Sequence, residues 1–170
     1  EDSLMISKKI ASVITSVMVF CCIVGVSLTN VKADDSAPKS VDGSYLTSAD
    51  SSTGYTPKNN ERGKHLMDGQ CSISKTGTKR IYTYGSTTAN HTVDAIAVIV
   101  YVDQYNESDG KWHQIDAFSK KVENDYYSAI SKSIQVDRGY YYRVHADHFV
   151  RMGEEPIEET FSLTNGILVP

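Results

Sequence analysis

From Thr92 to Gln104 the chain reads TVDAIAVIVYVDQ, with Ile96, Val98, Val100 and Val102 on one face at period two and Ala95, Ala97, Ile99 and Tyr101 on the other. Apolar residues on both faces, many of them β-branched, predict a central strand buried on both sides rather than a helix. Asn106, Ser108, Asp109 and Gly110 then supply a turn. Lys111 to Ser119, KWHQIDAFS, follows as the hairpin partner of that strand. Upstream, Gln70 to Ser74 and Lys79 to Thr83 are predicted as short strands joined through Lys75, Thr76 and Gly77, and Gly85 to Asn90 as a polar loop. Downstream, Tyr126 to Val136 carries Ile130, Ile134 and Val136 on one face, Asp137-Arg138-Gly139 turns, Tyr140 to Val150 alternates again, and Ile157 to Val169 closes the pattern. No segment has a convincing helical period. About seven short strands at this spacing predict an all-β domain over residues 64 to 170, an immunoglobulin-like antiparallel β-sandwich.

Two segments precede that domain. Met5 is followed by Lys8 and Lys9, an uncharged apolar run from Ile10 to Leu28, and then Val31, Lys32 and Ala33 ahead of Asp34 and Asp35. Positive residues, an apolar run and small residues at a cleavage point are the layout of a signal peptide, expected to span residues 1 to 33 with Met5 as its start. Kept uncleaved, the run is just long enough to anchor the protein in a membrane, and that is the one membrane association expected. Residues 34 to 63 are rich in Ser, Thr, Asp, Asn and Gly, contain Pro38 and Pro57, and have few branched aliphatics. They are predicted as a disordered linker, since they cannot bury enough apolar surface to fold alone.

The composition of the 170 residues, 40% hydrophobic and 22% charged, suits one core. Loss of residues 1 to 33 removes Lys8, Lys9 and Lys32 against Glu1 and Asp2, so a net charge of -4 becomes about -5. Scattered basic residues in an acidic chain argue against nucleic acid as partner. Cys21 and Cys22 leave with the leader, and Cys71 alone cannot form an intramolecular disulfide; it is predicted as a small buried side chain.

The strings YGSTTANHTVDAIAVIVYVDQ, DGKW, RGYYYRVHADH and ETFSLTNGILV, in that order across residues 64 to 170, resemble a family of small secreted proteins of clostridia and related Gram-positive bacteria. The resemblance implies a secreted all-β domain of unknown function and supplies no catalytic residues. Asp137, Gly139 and Tyr142 are also spaced one residue longer than the tyrosine corner of immunoglobulin-like domains.

Candidate chemistry is sparse. Arg143, His145 and Asp147 leave one face of a strand, a solvated polar face rather than a metal site; His148 and His113 could add ligands only if the fold gathered them. No phosphate loop, GxSxG elbow, HExxH or paired Cys motif is present, so no cofactor, no metal and no catalytic residues are assigned. Tyrosine is the residue type in excess, and all 11 lie beyond the leader. Tyr82 and Tyr84 leave the opposite face from Ile81 and Thr83, and the runs at 126 and 140 guarantee some outward rings. Rings on a rigid sheet offer large contact area at little entropic cost. The expectation is a secreted, monomeric, non-catalytic module that binds an extracellular glycan or protein through Tyr141 or Tyr127 beside Arg143 and His145. A secreted antimicrobial or toxin-like protein is the alternative, and an enzyme ranks last.

Overall fold

The computed structural model describes residues 38–57 and 63–170. The predicted leader, residues 1 to 33, lies outside them. The described residues form nine strands and no helix: β1 (Ser40–Val41), β2 (Ser44–Thr47), β3 (Ser51–Tyr55), β4 (Leu66–Gly77), β5 (Arg80–Asn106), β6 (Lys111–Gln135), β7 (Tyr140–Arg151), β8 (Glu158–Leu163) and β9 (Gly166–Val169). The fold is all-β. Its strands make one mixed sheet in the order β1-β2-β9-β7-β5-β4-β3, with β6 added to β5 and β8 to β7, curled into a half-barrel. The β2–β9 pair is parallel.

The spine is β5, which at 27 residues is far longer than the usual 3–10 and must bend. Its first half pairs with β4, from Arg80↔Gly77 to Ala89↔Leu66, and its second half with β7, from Ala95↔Arg151 to Gln104↔Tyr142. β6 follows it through both halves, with a register shift between Thr88 and Val93 where the two separate. The halves then pack face to face. Thr87 Oγ1 donates to the Ala97 carbonyl at 2.8 Å, and a Cβ on Gly85 would sit 2.5 Å from Val100 Cγ2. Between the halves lies the core, with Ile73, Ile81, Val98, Val100, Val102, Val144 and Ile167 all sealed from solvent. Each such side chain contributes about 1.5–3 kcal/mol on burial. A second cluster at the bend holds Leu66, Ala89, Val93, Ile96 and Val150. Along β6, Phe118, Ile130 and Ile134 pack on the core, and Lys132 pairs with Asp116 at 2.7 Å.

Several expectations need correction. Gly85 to Asn90 is strand, not loop: its inward positions are Gly85 and Thr87, small enough for close approach of the two halves. The central strand is buried on one face only, since Ala97, Ile99 and Tyr101 stay half-exposed on the other. Residues 40 to 55, expected within a disordered linker, carry β1, β2 and β3. The physical reason is that a polar segment can add backbone hydrogen bonds to an existing sheet without a core of its own. Asp42 and Gly43, with φ of 47° and 78°, make the two-residue turn that joins β1 to β2, a conformation glycine adopts freely. β3 lies along β4 through five pairs, Ser51↔Ser74 to Tyr55↔Gln70. Ile157 to Val169 is two strands, interrupted where Thr164 bonds both the N–H and the carbonyl of Val144. Tyr142 ties β7 to the turn before it, its hydroxyl donating to the Asp137 carbonyl at 2.9 Å while accepting from Gln104 Nε2 at 2.8 Å.

Candidate functional site

The alternation of β7 places Tyr141, Arg143, His145 and Asp147 on the outer face of the second half of the sheet, and Tyr142, Val144, Ala146 and His148 on the core side. Arg143 is not available to a ligand. Its Nε donates to Asp103 Oδ2 at 2.9 Å, its Nη1 donates to the Asp42 carbonyl at 3.1 Å, and its guanidinium lies 4.4 Å from the Trp112 ring centre. The β1–β2 hairpin covers it, held also by Trp112 Nε1 donating to the Val41 carbonyl and Ser44 Oγ donating to the Thr164 carbonyl. Burial alone would raise the Asp103 carboxyl, but His145, whose Nδ1 approaches to 3.2 Å without forming a hydrogen bond, and the hydrogen-bonded Arg143 outweigh it and hold it below its ordinary value. His145 is half-buried, with its ring stacked on Tyr101 at 4.6 Å. Burial raises the Tyr101 hydroxyl, and the neighbouring Asp147 carboxylate adds to the effect. Tyr141 lines a separate depression with Tyr105, Arg138 and Tyr140.

His148 points the other way and cannot join His145 and Asp147. It sits in the core between Thr87 Oγ1, 2.9 Å from Nδ1, and Ser162 Oγ, 2.8 Å from Nε2. Since Thr87 gives its one proton to Ala97, it must accept from Nδ1–H, which leaves Nε2 to accept from Ser162. The neutral ring is thereby fully satisfied. Burial pushes His148 down to about 4, against the opposing pull of Asp68. Burial also pushes the neighbouring Cys71 thiol up to about 11, in keeping with a buried, unreactive side chain. A pH dependence follows from His148. Between its ordinary 6.5 and about 4, the unfolded chain binds a proton that the folded chain refuses. Stability owed to this group is therefore constant above that window and falls by about 3 kcal/mol as pH drops through it. Urea unfolding at pH 7.5 and pH 4.5 checks this: His148→Gln should lose much less stability than wild type over that interval, and equal losses refute it.

The first half of the sheet presents a different outer face. Cross-strand pairing from β3 through β6 sets its side chains in rows. One is Tyr55, Gln70, Ser86 and Ala129; the next is Thr53, Ser72, Tyr84 and Ser131; the third is Ser51, Ser74, Tyr82 and Ser133. Asp68, Thr88 and Tyr127 make a shorter row at one end, and Arg80 stands at the other. Tyr55, Tyr82 and Tyr127 are 59%, 40% and 41% exposed. Tyr84 and Tyr127 meet through their hydroxyls at 2.7 Å, a bond that raises the Tyr127 hydroxyl, with burial adding. Tyr127 therefore lies on this face, away from Tyr141, Arg143 and His145, and the four residues predicted as one site do not come together. The alternation at Ile81 to Tyr84 already placed Tyr82 and Tyr84 outward. Tyr55 was hidden by the polar composition around it, although Ser51, Thr53 and Tyr55 alternate outward with Ser52 and Gly54. No protein-family model and no curated protein matches this chain.

Proposed function

We propose that the chain is an exported, non-catalytic binding module of a Gram-positive bacterium, built as an immunoglobulin-like sandwich and acting as a monomer on an extracellular glycan or protein. The sandwich reading is supported by the face-to-face packing of the two halves of β5, with Gly85 set against Val98 and Val100. The observation that carries the binding reading is the contrast between the groups with chemistry and the groups with exposure. Ser162 and His148 are bonded to each other in the core, and Arg143 is committed to Asp103, whereas Tyr55, Tyr82 and Tyr127 stand exposed on the sheet of the first half. Rigid, exposed, amphipathic rings are what recognition surfaces use. Of the residues proposed from sequence, Tyr127 is the best placed for contact and Arg143 the worst.

Export and binding are tested together. Expressed with its leader in a Gram-positive host, the protein should appear in the medium with Asp34 at its amino terminus by mass spectrometry, and recovery solely at full length in membranes rejects cleavage. The secreted product should be retained by at least one of whole cells, cell-wall fragments, mucin glycans or immobilised host proteins. A second, toxin-like reading is favoured by Ile157 and Phe161, 62% and 55% exposed, with Ile157 near Phe149, Lys121 and Arg151. An exposed apolar patch suits a membrane surface, although Glu159 stands between Ile157 and Phe161 and Lys121 is paired with Glu123, so dye leakage should be tested from neutral as well as anionic vesicles.

A further inference from the structure

We infer that the face of β3, β4, β5 and β6 that carries Tyr55, Tyr82, Tyr84 and Tyr127 is a docking platform for an uncharged, extended polysaccharide. This deepens the binding-module reading and rests on it. The outer sides of sheets ordinarily carry Lys, Glu and Arg, and 22% of this chain is charged, yet the twelve positions in the three full rows hold none. An anionic polymer would find no cation between the rows, and Asp68 at the near end is already bonded to Thr56 Oγ1 at 2.7 Å. The complement of an uncharged face is an uncharged ligand, because a charged one would lose hydration there without a partner.

Hydroxyl chemistry narrows the class. Ser and Thr side chains fill the spaces between the rings, and a hydroxyl both donates and accepts, as the hydroxyls of a sugar do. The rings offer apolar faces on which the C–H surface of a sugar can lie. The hydrogen bond between Tyr84 and Tyr127 fixes two of those rings before any ligand arrives, so less freedom is lost on binding.

Geometry favours a chain over a single sugar. Tyr82 and Tyr84 are two residues apart on β5, about 7 Å, and Tyr127 stands beside Thr88, so the backbone positions that carry the three rings span roughly 20 Å, with the Tyr84 and Tyr127 rings joined end to end through their hydroxyls. The depressions lined by Tyr141, by Ile157 and by Gln104 lie off that line. A linear polymer laid along β5 meets the three rings in turn, with Tyr55 flanking it on β3.

The test titrates the full mature chain with neutral polymers (hydroxyethylcellulose, laminarin and galactomannan) and with charged ones (polygalacturonate and heparin), by affinity electrophoresis and calorimetry. At least one neutral polymer should bind, the charged ones should not, and Tyr84→Ala or Tyr127→Ala should weaken binding about 5- to 100-fold with the melting temperature nearly unchanged. Ser131→Lys, an exposed change in the row of Tyr84, should weaken it as well and guards against a ring variant that folds poorly. Neutral-polymer binding that survives both ring removals overturns the inference and leaves the module reading standing. So does binding confined to charged polymers or to a protein. Failure to bind any polymer, protein, cell or wall fragment overturns both.

Discussion

Val98→Asp should leave the domain unfolded. Val98 is fully sealed in the second half of β5, pairs with His148 on β7 and Lys120 on β6, and faces the Gly85 backbone from the first half. Its surroundings are apolar apart from His148, its cross-strand neighbour, whose two ring nitrogens are already held by Thr87 and Ser162, so a carboxylate there finds no free partner. An unpartnered buried charge costs several kcal/mol, to which the lost burial of valine adds, against a total stability of about 5–15 kcal/mol. Ile99→Asp is the control. Ile99 points to the half-exposed outer face, where water can reach the new carboxylate, so its effect should be much smaller. Thermal melting followed by circular dichroism separates the two, and equal melting temperatures for Val98→Asp and wild type would mean that the core lies elsewhere.

Arg143→Ala should cost about 3 kcal/mol, because removing the permanent charge of a buried ion pair leaves the Asp103 carboxylate with His145 alone. Arg143 and Asp103 have side chains only 10% and 5% exposed, and once Arg143 is gone the one group left beside that carboxylate among the described ion pairs is His145, whose Nδ1 lies 3.2 Å from the same oxygen. The same substitution removes the donor to the Asp42 carbonyl and the partner of the Trp112 ring, so the β1–β2 hairpin loses one of its holds. Two readouts follow. Stability in urea should fall by the stated amount, and hydrogen exchange at residues 44 to 47 should accelerate more than in β4. The double variant Asp103→Ala, Arg143→Ala should recover part of the loss, because no orphaned charge remains. A single variant as stable as wild type, with a protected hairpin, would show the pair to be surface decoration.

The sites divide along the same line as these two variants. Tyr82 and Tyr84 were legible as outward rings because a two-residue period needs no knowledge of the fold. Arg143 and His145 were legible as sharing a face, and they do share one. Their fates were not legible, since a hairpin 99 residues away in sequence, through Ser44, covers Arg143 and leaves His145 against Tyr101. Tyr127 was grouped with them because nothing in the sequence says that β6 bends between Lys120 and Ser128, where Ser128 Oγ donates back to the Lys120 carbonyl.

What the sequence by itself determined is local and periodic: an all-β chain, the core face of Val98, Val100 and Val102, the turn before β7, and the burial of Cys71. These follow from β-branched density and strict alternation, which act within a few residues. The Asp42-Gly43 turn was legible in principle too, since that dipeptide is a strong hairpin signal, but the polar composition around it pointed to disorder. Only the tertiary structure decided that β5 and β6 are single bent strands, that β1 to β3 join the sheet, and which rings share a face. The reason is that strand pairing is satisfied by backbone groups every residue carries alike. Which edge a polar strand joins, and where a long strand folds over, is settled by the whole sheet together.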